Sequence, residues 1–299
     1  MFIIKHKKIF IGISVLLVLL SITSICVFGL KIGIDFKGGA LSEVEYKSVR
    51  PIQADLNPAL EALNYGPISL QPTGDLSYIV KSRDLTEAEH SQLLTTLSQN
   101  GQSALEEKSF NSIGPSVGKE LTRKAILSIV LVSLVLICFI AFAFRKVSKP
   151  VSSWKYGIIA IASLLHDVLI PVGIFAFLSH TFGVEIDSLF IVAVLTILGL
   201  SVSDTIVIFD RIRENLRNRV GNDFKETVGT SLNQSFVRSI CTSLTVILVL
   251  LALVFFGPES TKYFALMLAF GMFFGTYSSI FLASPLLVLT EELQNKKKK

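Results

Sequence analysis

Charge is scarce in this chain. Of its 299 residues only 17% are Asp, Glu, Lys or Arg, while 51% are apolar, against about a quarter charged in an average soluble domain. A water-soluble core could not hide that much apolar surface. Cysteine is scarcer still: Cys26, Cys138 and Cys241 all fall inside apolar runs, which gives neither a disulfide framework nor a metal spacing. They read as small buried hydrophobes. There is no Walker motif, no Ser/His/Asp arrangement and no cluster of metal ligands. These absences argue against an enzyme and against a cofactor, and they leave an ion gradient or a partner as the source of energy for any work done.

What the chain has instead is long apolar runs. Ile9 to Leu30 and Ala125 to Phe144 contain no charged residue, and about 20 apolar residues suffice to span a bilayer as a helix. Four more spans read as Tyr156 to Ser179, Ser188 to Phe209, about Ser235 to Phe256, and Tyr263 to about Leu287. The first run could be a cleaved signal peptide, but it exceeds the usual h-region and lacks an A-x-A site, so it reads as retained. Six spans put both termini on one side.

Orientation follows from the basic residues of the loops. Lys5, Lys7 and Lys8, then Arg145, Lys146, Lys149 and Lys155, then Arg211 to Lys225, then Lys296 to Lys299 share one face, which is therefore cytoplasmic. The net charge of +5 belongs mostly to these loops and is no nucleic-acid footprint. The lysine tail suits an anchor on anionic lipid.

Residues 1–30 thus comprise the N-terminus and first span, 31–122 an exterior α+β domain, and 123–299 the other five spans with a cytoplasmic C-terminus. Within the exterior part, Leu41–Tyr46, Ile68–Pro72, Leu76–Lys81 and Leu105–Ile113 read as strands, and Pro51–Leu63 and Thr86–Gln99 as helices. Thr86 and Glu89 form a capping box at the start of the second helix. The order β-α-β-β-α-β is the ferredoxin-like one, two helices on one antiparallel sheet. The fold class is a membrane all-α six-helix bundle carrying one exterior ferredoxin-like domain. The loop from Asp210 to about Gln234 has room for an amphipathic surface helix.

Ionisable residues inside spans point to function, because each costs a few kcal/mol, about 2.5–3.5 at the bilayer centre, unless paired or hydrated. Asp204 in the fourth span and Arg238 at the start of the fifth are the leading candidates for a proton pathway. Ser201 shares the helix face of Asp204, and Thr242 and Thr245 that of Arg238. If the two faces meet, protonation of Asp204 would weaken its pairing with Arg238 and release one helix against the other; a fixed pair that only orients the helices is the other reading. His166 and Asp167 in the third span are weaker candidates, since a polar pair beside a kink at Pro171 explains as much.

Two glycine-rich junctions bound the exterior domain. Gly33, Asp35, Gly38 and Gly39 follow the first span; with no strand read before them and no helix after, the pattern argues against a phosphate loop. Gly114, Pro115 and Gly118 lead back to the membrane. Together they suggest paired hinges. Gly271 and Gly275 form a G-x-x-x-G, suited to close packing of the sixth span inside the chain.

Several stretches resemble one family: GIDFKGG (Gly33–Gly39), IGPSVGKEL (Ile113–Leu121), His166 with Asp167, GLSVSDTIVIFDRIRENLR (Gly199–Arg217) and NQSFVRSICTSL (Asn233–Leu244). They are similar to the SecD/SecF family of bacterial protein translocase subunits, on its SecF side, within the resistance–nodulation–division superfamily. The likeness covers nearly the whole chain. It implies a half-transporter core paired with SecD in a heterodimer, associated with the SecYEG channel and YajC in the inner membrane. It also implies that the proton-motive force, not ATP, assists the late stages of protein export.

Asp204 and Arg238 match that family's intramembrane aspartate and arginine. Asp210, Arg211, Arg213 and Glu214 match its cytoplasmic cap of the fourth span and read as interface or anchoring residues. The exterior domain would sit beside the SecD head and meet the translocating polypeptide only indirectly. Other readings are a passive assembly subunit of the translocon and half of a small-molecule exporter; the small exterior domain and six spans speak against the latter.

Overall fold

The computed structural model describes residues 2–143 and 151–297. Phe144, Arg145, Lys146, Lys149, Lys298 and Lys299, which the sequence reading uses for a span end and for topology, lie outside the described residues. The chain forms two compact units, Ile32–Ile126 and Met1–Lys31 together with Leu127–Lys299.

In chain order, one turn, α1 (Phe2–Lys5), precedes the first long helix, α2 (Lys7–Phe28), and two extended residues, β1 (Lys31–Ile32). Then come α3 (Ile34–Lys37), β2 (Gly39–Tyr46), α4 (Gln53–Glu61), β3 (Ser69–Thr73), β4 (Ser77–Ser82), α5 (Glu87–Leu97) and β5 (Leu105–Ile113). The remainder is α6 (Pro115–Ala143), α7 (Ser153–Phe182), β6 (Glu185–Ile186), α8 (Ser188–Arg217), α9 (Phe224–Phe256), α10 (Glu259–Ser278), a π-helical turn (Ser279–Ala283) and α11 (Ser284–Lys297).

The smaller unit follows from alternation. Ala40, Ser42, Val44 and Tyr46 of β2 are buried while the residues between them are half-buried, the period-2 pattern of a strand with one covered face. Helix spacing supplies the cover: Leu56 and Leu60 on α4, and Leu93 and Leu97 on α5, join Val44, Tyr46, Tyr78 and Val80 in one core. Each such burial is worth about 1.5–3 kcal/mol. The sheet is antiparallel in the order β3-β4-β2-β5, with Val44 opposite Tyr78 and a bulge at Glu43/Val44 against β5. This is the ferredoxin-like arrangement. Thr86 closes the capping box at α5, its backbone N–H donating to Glu89 Oε2 at 2.9 Å. The Tyr46 hydroxyl donates to the Leu97 carbonyl at 2.9 Å; burial, helped by nearby Tyr78, pushes its phenol up to about 12.

The two junctions of this unit touch. The GIDFKGG motif folds as one helical turn, α3, preceded by β1, so it has local structure where the sequence suggested none. A Cβ on Gly118 would lie 2.9 Å from the Gly38 nitrogen and 3.0 Å from the Phe36 oxygen, and one on Gly38 (φ 83°) would lie 2.9 Å from the Pro115 Cα. Backbone meets backbone only because these positions lack side chains. Thr122 Oγ1 donates to the Gly118 carbonyl at 2.9 Å. Of the junction residues, Gly38, Pro115 and Gly118 form this clasp; a Cβ on Gly39 would meet Ser82 and Ile34 instead, and one on Gly114 nothing within 4 Å, while Gly33 caps and Asp35 lies within the turn α3.

In the larger unit six helices are long and apolar enough to cross a membrane. They are unequally buried, and the more buried spans are the less hydropathic ones. The sixth, Ser260–Lys296, is 67% buried over its apolar window, the second only 6%. α10 packs on α7, α8 and α9, and the G-x-x-x-G serves that packing: a Cβ on Gly271 would run into the Ile197 side chain, and one on Gly275 would lie 3.5 Å from Ser201 Cβ. Ser24 on α2 donates to the Gly173 carbonyl of α7 at 2.7 Å.

Two expectations are corrected. Cys26, Cys138 and Cys241 are exposed, not buried, because they lie on outward faces of α2, α6 and α9, the three least buried spans. No separate amphipathic helix occupies Asp210–Gln234: α8 continues to Arg217 and α9 begins at Phe224. The extension is held by polar side chains, Asn215 Nδ2 donating to Ser231 Oγ and Arg211 Nε to Gln234 Oε1, at 2.8 and 2.7 Å.

Candidate functional site: a polar layer inside the helix bundle

Four helices bring polar side chains to one layer. α7 supplies Asp167, which is fully buried, and its neighbour His166. Pro171 lies inside α7 and has no N–H to offer the Asp167 carbonyl, yet the helix continues through it. His166 Nδ1 lies 2.8 Å from Asp167 Oδ1. On Oδ2 the carboxylate accepts from Ser201 of α8, a short contact, and from Ser278 of α10 at 2.7 Å. His166 stacks on Tyr277, ring centroids 6.0 Å apart. Among the described residues, buried His166 Nε2 and the Tyr277 hydroxyl have no hydrogen-bond partner.

Asp204, one turn beyond Ser201 on α8, is half-buried. Its Oδ2 accepts from Thr276 of α10 at 3.0 Å and, more weakly, from Ser243 of α9 at 3.5 Å. Ser243 and Thr276 also contact each other closely, and Thr205 meets Ser279 at 3.0 Å.

Asp204 and Arg238 are not brought together within this chain, contrary to the pairing considered from sequence. The reason is helical phase. The buried face of α9 carries Ser231, Ser235, Ser239 and Ser243, a stripe at every fourth residue. Arg238 sits about 100° round from Ser239 and is exposed, with Thr242 and Thr245 on its side of the helix. The small serines admit a neighbour closely, and the one deepest along the stripe reaches Asp204. Ser201, expected beside Asp204, turns to Asp167 instead. Sequence reasoning also missed Thr276, Ser278 and Ser279. A signal was present: Thr276, Tyr277, Ser278 and Ser279 are four consecutive hydroxyl residues in an apolar span.

The residues matched to a cap pair mostly among themselves. Arg211 Nη1 donates to Glu214 Oε2 at 2.6 Å and Arg213 lies 3.7 Å from Asp210. Lys7 of α2 pairs with Glu292 of α11.

Six apolar spans around a layer of carboxylates and hydroxyls, with one α+β unit inserted after the first span, define a multi-pass membrane protein of the half-transporter kind. The family model described as protein export membrane protein SecD/SecF, C-terminal, matches residues 93–293. The chain belongs to the SecD/SecF family, on its SecF side. It is 43% identical to the protein translocase subunit SecF of Thermobaculum terrenum, over 97% of this chain and 93% of that one. It is 35% identical to the SecF of Anaerolinea thermophila, over 97% and 94%. The crystal structure of SecDF, a translocon-associated membrane protein from Thermus thermophilus, superposes with a TM-score of 0.81 at 28% identity, covering 97% of this chain but 38% of that longer one.

Proposed function

We propose that this chain is the SecF half of a SecD/SecF heterodimer that uses the proton-motive force to assist late stages of protein export through the SecYEG channel, with YajC as an associated subunit. In this reading it lies in the bacterial inner membrane with both termini cytoplasmic and the α+β unit outside. Protons are its only cofactor, and the passenger chain is met indirectly.

The observation that carries the reading is Asp204: a half-buried carboxylate inside a span, held by two hydroxyls and paired with no basic side chain among the described residues. Such a group is costly to keep charged in a membrane and so is poised to take up a proton. Protonation would change what Thr276 and Ser243 donate to, and with it the contact between α8, α9 and α10. Arg238, on the outward face of α9, is placed for a partner core. One charge crossing about 100 mV supplies roughly 2.3 kcal/mol, so a few protons suffice to bias a two-state element.

The test is Asp204→Asn in the assembled complex, with gradient-dependent export measured in vesicles. Loss of gradient stimulation with assembly intact is expected. Full stimulation would overturn proton coupling through Asp204, and loss of assembly would point instead to a structural subunit of the translocon.

A further inference from the structure

Two carboxylates on different helices draw hydroxyl donors from one short stretch of a third. Thr276 donates to Asp204, Ser278 to Asp167, and Ser279 meets Thr205, the residue after Asp204. This stretch ends where α10 passes into the π-helical turn Ser279–Ala283, and single π turns inside α-helices occur disproportionately at functional sites. The geometry points to Asp167 as a second proton-binding group, coupled to Asp204 through the hydroxyl run Thr276–Ser279; this rests on the proton-coupled role proposed above.

The hydrogen inventory shows how. Ionised Asp167 accepts from His166 on Oδ1 and from Ser201 and Ser278 on Oδ2. A serine hydroxyl has one proton to give and lone pairs to accept with. When a proton binds Oδ2, Asp167 donates to Ser278, and the Ser278 proton turns to the Gly275 carbonyl, 3.1 Å away. The charge is neutralised with every heavy atom in place.

The Gly275 carbonyl is where the change is felt. It already accepts from Ser279 Oγ at 2.9 Å and from the Ser279 backbone N–H, which it shares with the Thr276 carbonyl. Two lone pairs cannot serve three donors equally. A third donor therefore weakens the bond that holds the helix at its α-to-π transition and favours the Thr276 alternative. Thr276 is the residue whose side chain holds Asp204. The charge state of one carboxylate thus acts on the donor of the other through a single helical turn.

α7 brings His166, α8 Asp204 and α10 Tyr277; on α2 only Lys7, Lys8 and Cys26 titrate, at its ends, and on α9 Arg238 is exposed. α11 carries its acidic pair, Glu291 and Glu292, beyond its first two turns.

Infrared difference spectra between acidic and alkaline buffer, on the full chain in lipid nanodiscs, test this. Two protonated-carboxyl bands are expected, one lost in Asp204→Asn and the other in Asp167→Asn. Asp167→Asn should move the pH midpoint of the Asp204 band by about one unit, roughly tenfold in proton affinity, and Asp204→Asn should move the Asp167 band equally, since coupling is reciprocal. Ser278→Ala keeps both carboxyls and should shift the Asp167 band while reducing the coupling to less than about twofold. It decides the matter alone if Asp167→Asn does not assemble. No band assignable to Asp167, or a Ser278→Ala variant with both bands and midpoints unchanged, overturns the inference. Gradient-dependent export that survives Asp204→Asn overturns the proposed function instead.

Discussion

Asn215, near the end of α8, donates through its Nδ2 to Ser231 Oγ and to Gln234 Oε1 on α9, both at 2.8 Å. This buried amide ties together two helices whose connection is only six residues long, Asn218 to Asp223. Asn215→Ala is expected to destabilise the pairing by about 1–2 kcal/mol, because it leaves Gln234 and Ser231 short of a donor. A lower thermal midpoint in detergent, with faster amide exchange at the end of α8, is the measurement.

Arg238 separates stability from work. Its side chain is exposed and makes no hydrogen bond or ion pair among the described residues, so Arg238→Met should leave the stability of the isolated chain within about 0.5 kcal/mol. In the complex, gradient-dependent export should fall sharply. Unfolding and export assays on the same preparation check both halves; a large loss of stability would mean that Arg238 holds this bundle together.

Glycines at the clasp are expected to differ by position. Gly118→Ala gains about 1 kcal/mol of helix propensity, but its Cβ would press on the backbone at Gly38 and Phe36, neither of which yields like a flexible side chain. A net cost of about 1–3 kcal/mol follows. A Cβ on Gly114 meets nothing within 4 Å, so Gly114→Ala should be nearly neutral. Hydrogen exchange along β5 and β2 distinguishes the two variants.

Acid should loosen α5 over a defined window. The Arg83 guanidinium, with help from the Thr86 backbone and hydroxyl, holds the Glu89 carboxyl down at about 2, against an ordinary 4.5. A depressed folded-state value means stability that is present above about 4.5 and is lost as pH falls from there toward about 2. Hydrogen exchange at the start of α5, followed against pH, should show protection decreasing over that window. Arg83→Ala should flatten the dependence.

Much of the fold is written in local pattern. Alternation in β2, the capping box at Thr86 and six uncharged or nearly uncharged runs each state their own structure, since backbone satisfaction in lipid and one-faced burial in a sheet leave few alternatives. Which helix occupies the centre is less legible. The sixth span has lower mean hydropathy than the others, 1.7 against 2.2–2.7, and this is the mark of an interior helix: hydroxyls and glycines replace lipid-facing leucines where neighbours approach. The carboxylates were found because an intramembrane charge stands out. Their partners were missed because serine and threonine are common in spans, and because a pairing across helices depends on rotation about each axis. One residue of helical phase, Ser239 rather than Arg238 facing inward, decides that Asp204 meets a hydroxyl and not a guanidinium.

The clasp between Gly38, Pro115 and Gly118 decides how the α+β unit would respond to a pull on its two chain exits. Both chain exits leave that unit from one pinned point, where β2 begins and β5 ends. Tension between the exits would therefore meet the backbone contact at Gly118 first, and after it the β2–β5 ladder from its Gly39–Ile113 rung inward, one rung at a time. What keeps the ladder, and the core around Val44 and Leu93 behind it, from being peeled open is then the clasp and not the sheet.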